Sequence, residues 1–559
     1  MAHHAFTTEY LMPEGSVPAP GSAHERYVRD RLDEVGLWGD RTLAQIIAGH
    51  AADRPDASAF IDEHGRTSWA DYHRRSTDVA RAIVVAGLER GDRLAVVLPD
   101  GPDVHVAFVG AEKAGVVVMG IGPRAGTNEI KHLVRRSGAT AVLSRQQHRD
   151  IDMTALVAEL RTDGQALRHL VLDPDGTVLV DGEEPDSDRV TDEVLDERQL
   201  GMGDVALLNS TSGTTGLPKC VVHNQNRWFH YHRMAVDAGD YNPGDVCMSL
   251  IPAPFGFGLW TSHFTPTILG CPTVVMERFT PEGALSLIER EGVTVMACVS
   301  TQFIMMLNSP DLRRTDLGTL RAMFTGGEAV PTARAAEFEE EFGAKVLQFY
   351  GSNETGALSY TSVRDTREQR LTTAGRTIDA MDVTLLDETG TPLPERSGRG
   401  QAACRGPATC LGYFDDDSAN EQLISEDGFM LTGDIVTVDD DGYLRVVGRT
   451  SDFIIRGGKN ISAVVVEEQV ATHPRVAMAA AVSMPDDVFG ERVCVYVVTR
   501  DGDPIELDDV LGHLRSREFS KETYPERLVQ VDELPRASGG KVAKAELRAD
   551  IRRRLGARG

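Results

Sequence analysis

The residues with the most distinctive chemistry lie in a loop from Thr211 to Lys219, directly after the apolar segment 205–208. Six of the seven residues from Thr211 to Leu217 are hydroxyl residues or glycines. Glycines let backbone N–H groups approach an anionic ligand closely, hydroxyls add hydrogen-bond donors, and Lys219 adds a positive charge. The loop is therefore predicted to bind the phosphate groups of a polyphosphate.

Two other interpretations of this loop are weaker. A surface loop with an incidental lysine would have a similar composition, although this order of residues is uncommon in such loops. The P-loop of nucleoside triphosphatases is disfavoured because the chain has no G-x-x-x-x-G-K-[ST] segment. The chain also lacks a G-x-S-x-G segment, which would indicate a nucleophilic serine.

The loop resembles the phosphate-binding segment of the acyl-adenylate-forming superfamily, which contains acyl-CoA synthetases, adenylation domains of nonribosomal peptide synthetases, and luciferases. Further motifs follow in the order and spacing of that superfamily, so the resemblance covers nearly the whole chain. It implies an ATP-binding role for a first group of residues: Thr211, Ser212, Gly213, Thr214, Thr215, Gly216 and Lys219.

The segment 349–356 resembles the superfamily's Y-G-x-T-E motif, in which an aromatic residue, here Tyr350, lies beside adenine. The resemblance implies that Glu354 holds Mg²⁺, since a carboxylate near a polyphosphate needs a cation between them. Asn353 stands where threonine is usual, and either residue can hydrogen-bond a phosphate oxygen. The resemblance implies an ATP-binding role for five further residues of this and other motifs: Gly327, Glu328, Gly351, Asp434 and Arg449. Among these, the aspartate would accept hydrogen bonds from the ribose hydroxyls.

Motifs near the end of the chain imply a second, moving domain. Ser451 occupies the hinge position, where Asp or Lys is usual, and a small residue can absorb the change in backbone angles. Gly457 and Gly458 would line the tunnel for a pantetheine thiol. Lys541 matches the catalytic lysine, whose charge would stabilise the adenylation transition state.

The sequence gives less information about the acyl pocket than about the nucleotide-binding motifs. Phe255 stands where relatives often have a gating histidine, and Ser300 and Thr301 begin a mostly apolar segment. Plain core packing would also explain the aromatic residues of this region. The segment 27–43 resembles the N-terminal arm of members that activate aryl acids, so we expect an aryl, cyclic or medium-length acid. The candidate pocket residues are Phe255, Gly256, Ser300, Thr301, Gly326 and Ser352.

The resemblance implies an ATP-dependent ligase that converts a carboxylic acid to acyl-AMP and then passes the acyl group to CoA or to a phosphopantetheinyl carrier protein supplied in trans. Two alternatives stay open at this point. The same fold could use ATP to activate nitrite for diazotisation of an aryl amine. Alternatively, the chain could be a catalytically inactive nucleotide-binding relative, although the retained Lys219, Glu354 and Lys541 argue against that.

The helices and strands that must position these residues are predicted to form an α/β fold. Helical periodicity over 41–60 and from Trp69 to Ala86 alternates with apolar strands such as 93–99, which indicates parallel sheets. Residues 380–450 change to short antiparallel strands, which predict a small β-barrel-like subdomain. We expect a large N-terminal domain over 1–449, followed by a small mobile α+β domain over 450–559.

The amino-acid composition indicates which kinds of partner and compartment are disfavoured. The 559 residues contain 58 basic and 85 acidic side chains, and the net charge of −27 disfavours nucleic acid and anionic membranes. We expect neither a membrane span nor a secretory signal. The seven cysteines form no C-x-x-C pair, which is typical of a cytoplasmic protein without disulfides or zinc clusters. A monomer or a homodimer is expected.

Overall fold

The computed structural model describes residues 10–33, 39–211, 218–449, 452–486, 488–500, 502–536 and 542–556. Its helices are α1 (Ala23–Asp33), α2 (Leu43–Asp53), α3 (Trp69–Val85), α4 (Pro102–Ala114), α5 (Thr127–Arg136), α6 (Met153–Thr162), α7 (Asp192–Arg198), α8 (Asn226–Gly239), α9 (Gly256–Gly258), α10 (Thr265–Leu269), α11 (Pro281–Glu291), α12 (Ser300–Leu307), α13 (Thr332–Phe342), α14 (Arg367–Thr372), α15 (Asp417–Leu423), α16 (Ala463–Ala471), α17 (Leu507–Ser516) and α18 (Lys544–Gly556).

The strands alternate with these helices over most of the chain. They are β1 (Ser58–Ile61), β2 (Arg66–Ser68), β3 (Arg93–Val97), β4 (Val117–Ile121), β5 (Ala141–Ser144), β6 (Gln147–His148), β7 (Ile151–Asp152), β8 (Arg168–Leu172), β9 (Val178–Val180), β10 (Val205–Ser210), β11 (Cys220–Asn224), β12 (Cys247–Ser249), β13 (Thr273–Val274), β14 (Val295–Ala297), β15 (Ala322–Gly326), β16 (Lys345–Ser352), β17 (Gly356–Tyr360), β18 (Arg376–Thr377), β19 (Asp382–Leu386), β20 (Gly398–Arg405), β21 (Met430–Val438), β22 (Leu444–Arg449), β23 (Phe453–Arg456), β24 (Lys459–Ser462), β25 (Val476–Asp486), β26 (Gly490–Thr499) and β27 (Arg527–Gln530).

The first sheet has seven strands in the order β11-β10-β4-β3-β5-β8-β9. Strands β10, β4, β3, β5 and β8 run parallel, and β11 and β9 pair antiparallel at the two edges. The inner strands are buried on both faces, as near-continuous apolar sequences such as Leu94–Val97 require. The loop from Thr211 to Lys219 joins β10 to β11 at one edge of this sheet.

The second sheet has nine strands in the order β18-β17-β16-β15-β14-β12-β13-β1-β2. Six of them, from β1 to β16 along this order, are parallel. Ligand sites in such sheets lie beyond the carboxyl ends of the strands. Here Ser300 follows β14, Gly327 follows β15, and Glu354 follows β16. The parallel pairing therefore brings three segments of the predicted site to one edge.

The third sheet is antiparallel, in the order β19-β20-β21-β22. The prediction of short antiparallel strands over 380–450 is thus confirmed. Asp434 on β21 pairs in register with Arg449, the last residue of β22. This pairing sets two predicted ATP-binding side chains next to each other.

The last sheet contains β24, β23, β26 and β25, with β27 parallel to β26. Buried side chains of α16 and α17 form one core against it, and those of α18 form another. This part of the chain is the α+β unit expected at the C-terminal end.

One predicted element is shorter than expected. The helix expected over 41–60 ends at Asp53, and residues from Ser58 form strand β1 instead. The physical reason is Pro55, because a proline disfavours helical backbone angles in the preceding residue, here Arg54. The expected helix from Trp69 and the expected strand from Arg93 are confirmed by α3 and β3. Among the described helices, none is long and apolar enough to cross a bilayer.

Candidate active site

The two ends of the predicted phosphate loop are fastened to each other. The backbone N–H of Thr211 donates to the carbonyl of Lys219 at 3.0 Å, and the N–H of Lys219 donates to Oγ1 of Thr211 at 3.2 Å. These bonds extend the β10–β11 pairing and hold Lys219 at the mouth of the loop. The predicted ligands Ser212, Gly213, Thr214, Thr215 and Gly216 lie outside the described residues.

Lys219 and Glu354 both contact one side chain, Tyr413. The Lys219 ammonium lies 4.6 Å from the centroid of the tyrosine ring. The tyrosine hydroxyl donates a hydrogen bond of 2.8 Å to Oε1 of Glu354. Burial, followed by the charge of Glu354, raises the pKa of Tyr413 far above its usual range, so the phenol stays a proton donor.

Sequence reasoning missed Tyr413, which lies in the segment interpreted only as antiparallel strands. The sequence gives one weak signal, an aromatic residue directly after a glycine, and that pattern carries no specific chemistry. The missed contact joins residues 59 positions apart.

The turn that presents Glu354 is shaped by its neighbours. The Ser352 hydroxyl accepts hydrogen bonds from the N–H groups of Glu354 and Thr355, at 3.2 and 3.1 Å. A side chain at Gly351 would collide with the backbone of Gly356, so only glycine fits there. Ser352 was predicted in the acyl pocket, and the structure shows its hydroxyl engaged in the turn.

The carboxamide of Asn353 cross-links the phosphate loop to the predicted acyl pocket. Its Oδ1 accepts from the N–H of Gly256 at 3.1 Å and lies 3.4 Å from Nδ2 of Asn209. Its Nδ2 donates to the carbonyl of Ser210 at 3.2 Å. Asn353 therefore holds the wall between the two regions, and its contact with a phosphate oxygen stays a prediction.

Asp434 provides an acceptor suited to a ribose diol. Tyr350 donates its hydroxyl to Oδ2 at 2.8 Å, and the guanidinium Nε of Arg449 lies 3.2 Å from Oδ1. Oδ1 is buried and, within the described ranges, accepts no hydrogen bond of good geometry. Burial raises the pKa of the Asp434 carboxyl above its usual range, and the charge of Arg449 opposes this. The orphaned oxygen fits a bound hydroxyl donor.

The predicted glycine turn lies beside α12. Gly327 has a φ of +77°, which favours glycine, and a Cβ on Gly326 would lie 2.5 Å from the Phe349 carbonyl oxygen. Oε1 of Glu328 accepts from the backbone N–H of Ser300 at 2.9 Å and thereby caps the first turn of α12. The structure thus brings the turn and the start of α12 together.

Three buried hydroxyls near this turn have no hydrogen-bond partner among the described residues: Ser300, Thr301 and Thr325. Two of them were predicted as pocket residues, and Thr325 directly precedes the predicted glycine turn but was not among the predicted site residues. Buried hydroxyls without partners cost free energy, so these groups suit hydrogen bonds to a bound ligand.

An aromatic wall lies next to Gly256. A Cβ on Gly256 would overlap Oδ1 of Asn353 and would lie 3.6 Å from the ring of Trp228. The ring of Phe255 packs against Gly122, where a Cβ would lie 2.7 Å from it. The ring centroids of Phe257 and Phe349 are 4.7 Å apart. Trp228 and Phe349 were not among the predicted pocket residues.

The C-terminal sheet touches the rest of the chain close to α12. Nη2 of Arg536 lies 3.0 Å from the sulfur of Met305, and Arg500 pairs with Glu337 at 3.2 Å. Burial and then the charge of Arg124 lower the pKa of Arg536. Arg536, which precedes Lys541 in the sequence, thus lies next to α12. Lys541 and the predicted hinge Ser451 themselves lie outside the described residues.

Gly457 and Gly458 form the exposed turn between β23 and β24. Strand β25 and Arg536 contact α12. The role of the two glycines in a thiol tunnel stays a prediction.

Residues 47–414 match the family model described as AMP-binding enzyme, and residues 465–541 match the AMP-binding enzyme C-terminal domain. The chain belongs to the AMP-binding enzyme family. It is 32% identical over 549 residues to the 2-hydroxy-7-methoxy-5-methyl-1-naphthoate–CoA ligase of Streptomyces carzinostaticus, covering 96% of this chain and 97% of that protein. It is 30% identical over 541 residues to the salicyl-AMP ligase / salicyl-S-ArCP synthetase of Mycobacterium tuberculosis, covering 95% and 93%.

The fold of this AMP-binding enzyme matches that of an anthranilate CoA ligase solved with anthranoyl-AMP, at a TM-score of 0.81 and 21% identity, over 94% of this chain and 99% of that chain. Family membership confirms the resemblance found in the sequence and the α/β fold class. The protein is an AMP-forming acid ligase that consumes ATP. The relatives give no support to nitrite activation or to an inactive nucleotide-binding protein.

Proposed function

We propose that this AMP-binding enzyme adenylates an aryl or cyclic carboxylic acid with MgATP and then transfers the acyl group to a thiol of CoA or of a phosphopantetheinyl carrier protein. The observation that carries the proposal is the position of Glu354. Its carboxylate shares Tyr413 with the loop lysine, and the neighbouring Asn353 holds the aromatic wall at Gly256. A phosphate site and an apolar acyl site are therefore adjacent.

The role of each residue in the adenylation step follows from its charge. Lys219 would attract the polyphosphate, and Asp434 would accept the ribose hydroxyls through its buried Oδ1, which pairs with Arg449 but accepts no hydrogen bond of good geometry within the described ranges. Glu354 would hold Mg²⁺, which usually keeps several waters and needs only one or two protein carboxylates beside phosphates; when bound, it neutralises phosphate charge. Lys541 would neutralise the attacking carboxylate and the α-phosphate.

The first step forms a bond between a carboxylate oxygen and the α-phosphorus while the bond from that phosphorus to pyrophosphate breaks. In the second step, a thiolate attacks the acyl carbon and AMP leaves. No general base is required in the first step, because the acid already carries a negative charge. Positioning and charge neutralisation carry the catalysis.

An aryl or cyclic acid is supported by two independent observations. A Cβ on Gly256 would lie 3.6 Å from the ring of Trp228, and the next residue, Phe257, packs edge to face on Phe349, so this region offers apolar contact to a flat ring. Relatives that match nearly the whole chain carry names with naphthoate and salicylate substrates. An acceptor of either type is supported by the same names, since one is a CoA ligase and the other loads a carrier protein.

The proposal includes a division of the chain at residues 449 and 450 into an adenylating domain and a mobile C-terminal domain. It also places the enzyme in a reducing compartment, the cytoplasm, because all seven cysteines are free and buried in the structure. A domain rotation near Ser451 would exchange Lys541 for the turn at Gly457 between the two steps.

Pyrophosphate release tests the proposal directly. The assay would compare aryl, alicyclic and aliphatic acids with ATP, each with and without CoA. We expect release with at least one aryl or cyclic acid. CoA-dependent thioester formation would assign the acceptor, and adenylation without CoA transfer would assign a carrier protein. Activity confined to long aliphatic acids would contradict the proposed substrate class.

A further inference from the structure

We propose that Tyr413 is a positioning residue that holds Glu354 and Lys219 in the orientations needed for MgATP. The inference rests on the proposed function, since it assigns Glu354 to the metal and Lys219 to the phosphates. Its evidence is the geometry of one half-buried ring that contacts both charged groups, one through the hydroxyl and the other through the π face.

The hydroxyl fixes the carboxylate from one side. Tyr413 donates to Oε1 of Glu354, and this is the only hydrogen bond that the carboxylate receives from the residues that the structure describes. Oε2 is therefore left for a cation. A carboxylate held by one donor has fewer orientations to lose when the cation binds, so the metal binds more tightly.

The same tyrosine contacts two opposite charges. Lys219 and Glu354 form no direct ion pair within the described ranges, although the same ring contacts both. A direct pair would satisfy each charge with the other and would compete with the phosphate and the metal. A lysine over an aromatic face keeps its charge available while it is held in place.

The backbone of Tyr413 is held firmly enough for this role. Its N–H donates to Oδ1 of Asn420 at 2.7 Å, and its carbonyl accepts from Nδ2 of the same residue at 2.9 Å. A bridge to Val221 ties it to β11, the strand that follows Lys219. The N–H of Cys410 donates to the carbonyl of Glu354 at 2.8 Å. The segments that carry Glu354 and Tyr413 are thus fastened to each other.

The N-terminal arm supports the same segment from outside. The Tyr27 hydroxyl lies 2.5 Å from Oγ1 of Thr409 and 2.6 Å from the carbonyl of Cys410. The His24 ring nitrogen Nε2 lies 2.6 Å from the carbonyl of Leu411. Residues directly before Tyr413 are therefore clamped between the arm and the site.

The experiment measures binding of α,β-methylene-ATP by titration calorimetry over a range of Mg²⁺ concentrations and in EDTA. The methylene bridge of this analogue cannot be cleaved, so it cannot transfer its AMP group to an acid. The variants are Tyr413→Phe, which removes the hydroxyl, and Tyr413→Leu, which removes the ring as well. Tyr360→Phe is the matched control, because that tyrosine donates to an aspartate, Asp237, on the protein surface. Thermal melting of each variant reports folding.

Mg²⁺ is expected to increase the affinity for the analogue. For Tyr413→Phe we expect the Mg²⁺ concentration that gives half of this increase to rise about three- to tenfold, with binding in EDTA unchanged. Tyr413→Leu should weaken binding both with and without Mg²⁺, because Lys219 also loses its support. Tyr360→Phe should match the wild type.

Binding by Tyr413→Phe within twofold of the wild type at every Mg²⁺ concentration would overturn the inference. That isosteric variant decides the matter even if Tyr413→Leu melts early. A wild-type protein that binds the analogue equally well with Mg²⁺ and with EDTA would contradict the proposed function itself, and this inference with it.

Discussion

The hydroxyl of Tyr350 donates to Oδ2 of Asp434 across 2.8 Å and links the last parallel strand of the nine-stranded sheet to the antiparallel four-stranded sheet. This bond holds the carboxylate in place without using its other oxygen, which is buried, lies 3.2 Å from Nε of Arg449 and accepts no hydrogen bond of good geometry within the described ranges. The ribose acceptor is therefore prepared by the contact between two sheets that fold from separate parts of the chain.

Asp434→Asn keeps the size of the side chain and removes its charge. We expect the KM for ATP to rise about tenfold or more, because charge-assisted hydrogen bonds to the ribose become neutral ones. Asp440→Asn, in an exposed turn, should leave the KM unchanged. Initial rates at varied ATP would check this, and an unchanged KM in Asp434→Asn would remove this carboxylate from the nucleotide site.

Gly256→Ala should strain the wall that Asn353 holds. The added methyl group overlaps Oδ1 of Asn353, and such overpacking costs about 1–3 kcal/mol of unfolding free energy. The second variant, Asn353→Ser, should relieve part of that cost in the double variant. Chemical denaturation of the two single variants and the double variant would measure the coupling.

Gly512→Ala is the control for that cycle, because it adds a methyl group to a helix position with open space and should stabilise the protein slightly. Strictly additive free energies in the Gly256 and Asn353 cycle would show that the two residues do not press on each other.

Some features of the fold and of the candidate site could be predicted from the sequence, and others could not. The alternation of helices and strands predicted the parallel sheets, and the order of motifs assigned Glu354, Asp434 and Lys219 to one predicted site. Hydrophobic periodicity reports which residues are buried, but it carries no information about which distant loops will touch. Tyr413 meets Glu354 from 59 residues away, so its role became visible only in the folded chain.

Asn353 and Ser352 illustrate the same limit on a shorter scale. The motif identified both positions, but hydrogen-bonding side chains can serve either a ligand or a turn. Only the positions of Gly256 and Thr355 in the structure show which partners these two side chains have.

Lys113 is buried with only neutral acceptors around its ammonium, namely the His73 carbonyl and ring and the hydroxyls of Ser76 and Thr77. Burial lowers its pKa from 10.5 to about 8. We expect Lys113→Met to raise the free energy of unfolding at pH 7 by about 1–3 kcal/mol, because the charge no longer has to be buried.

The pH dependence of that difference has a defined sign. Below about pH 8 the lysine is charged in both the folded and the unfolded chain, and the full cost is present. Between about pH 8 and 10.5 only the unfolded chain keeps the proton, so the wild type gains stability relative to the variant. Urea titrations at pH 7 and 9.5 would measure this, with the exposed Lys345→Met as control. A constant difference would contradict the burial of a charged lysine.

Lys541→Ala should slow adenylation about a hundredfold or more while nucleotide binding persists, because the lysine acts on charge that develops in the transition state. Lys521→Ala, an exposed lysine of the same domain, should retain the wild-type rate. Single-turnover formation of acyl-AMP would separate chemistry from product release. A wild-type rate in Lys541→Ala would contradict the assigned role.

The measurement that tests the central claim most directly follows oxygen atoms through the reaction. The best acid from the pyrophosphate assay would be labelled with ¹⁸O in its carboxylate and converted fully to the thioester, and the released AMP would be analysed by mass spectrometry. Attack of the acid on the α-phosphorus requires that each AMP carries one ¹⁸O atom. Unlabelled AMP, or label in phosphate or pyrophosphate, would contradict acid adenylation by this enzyme.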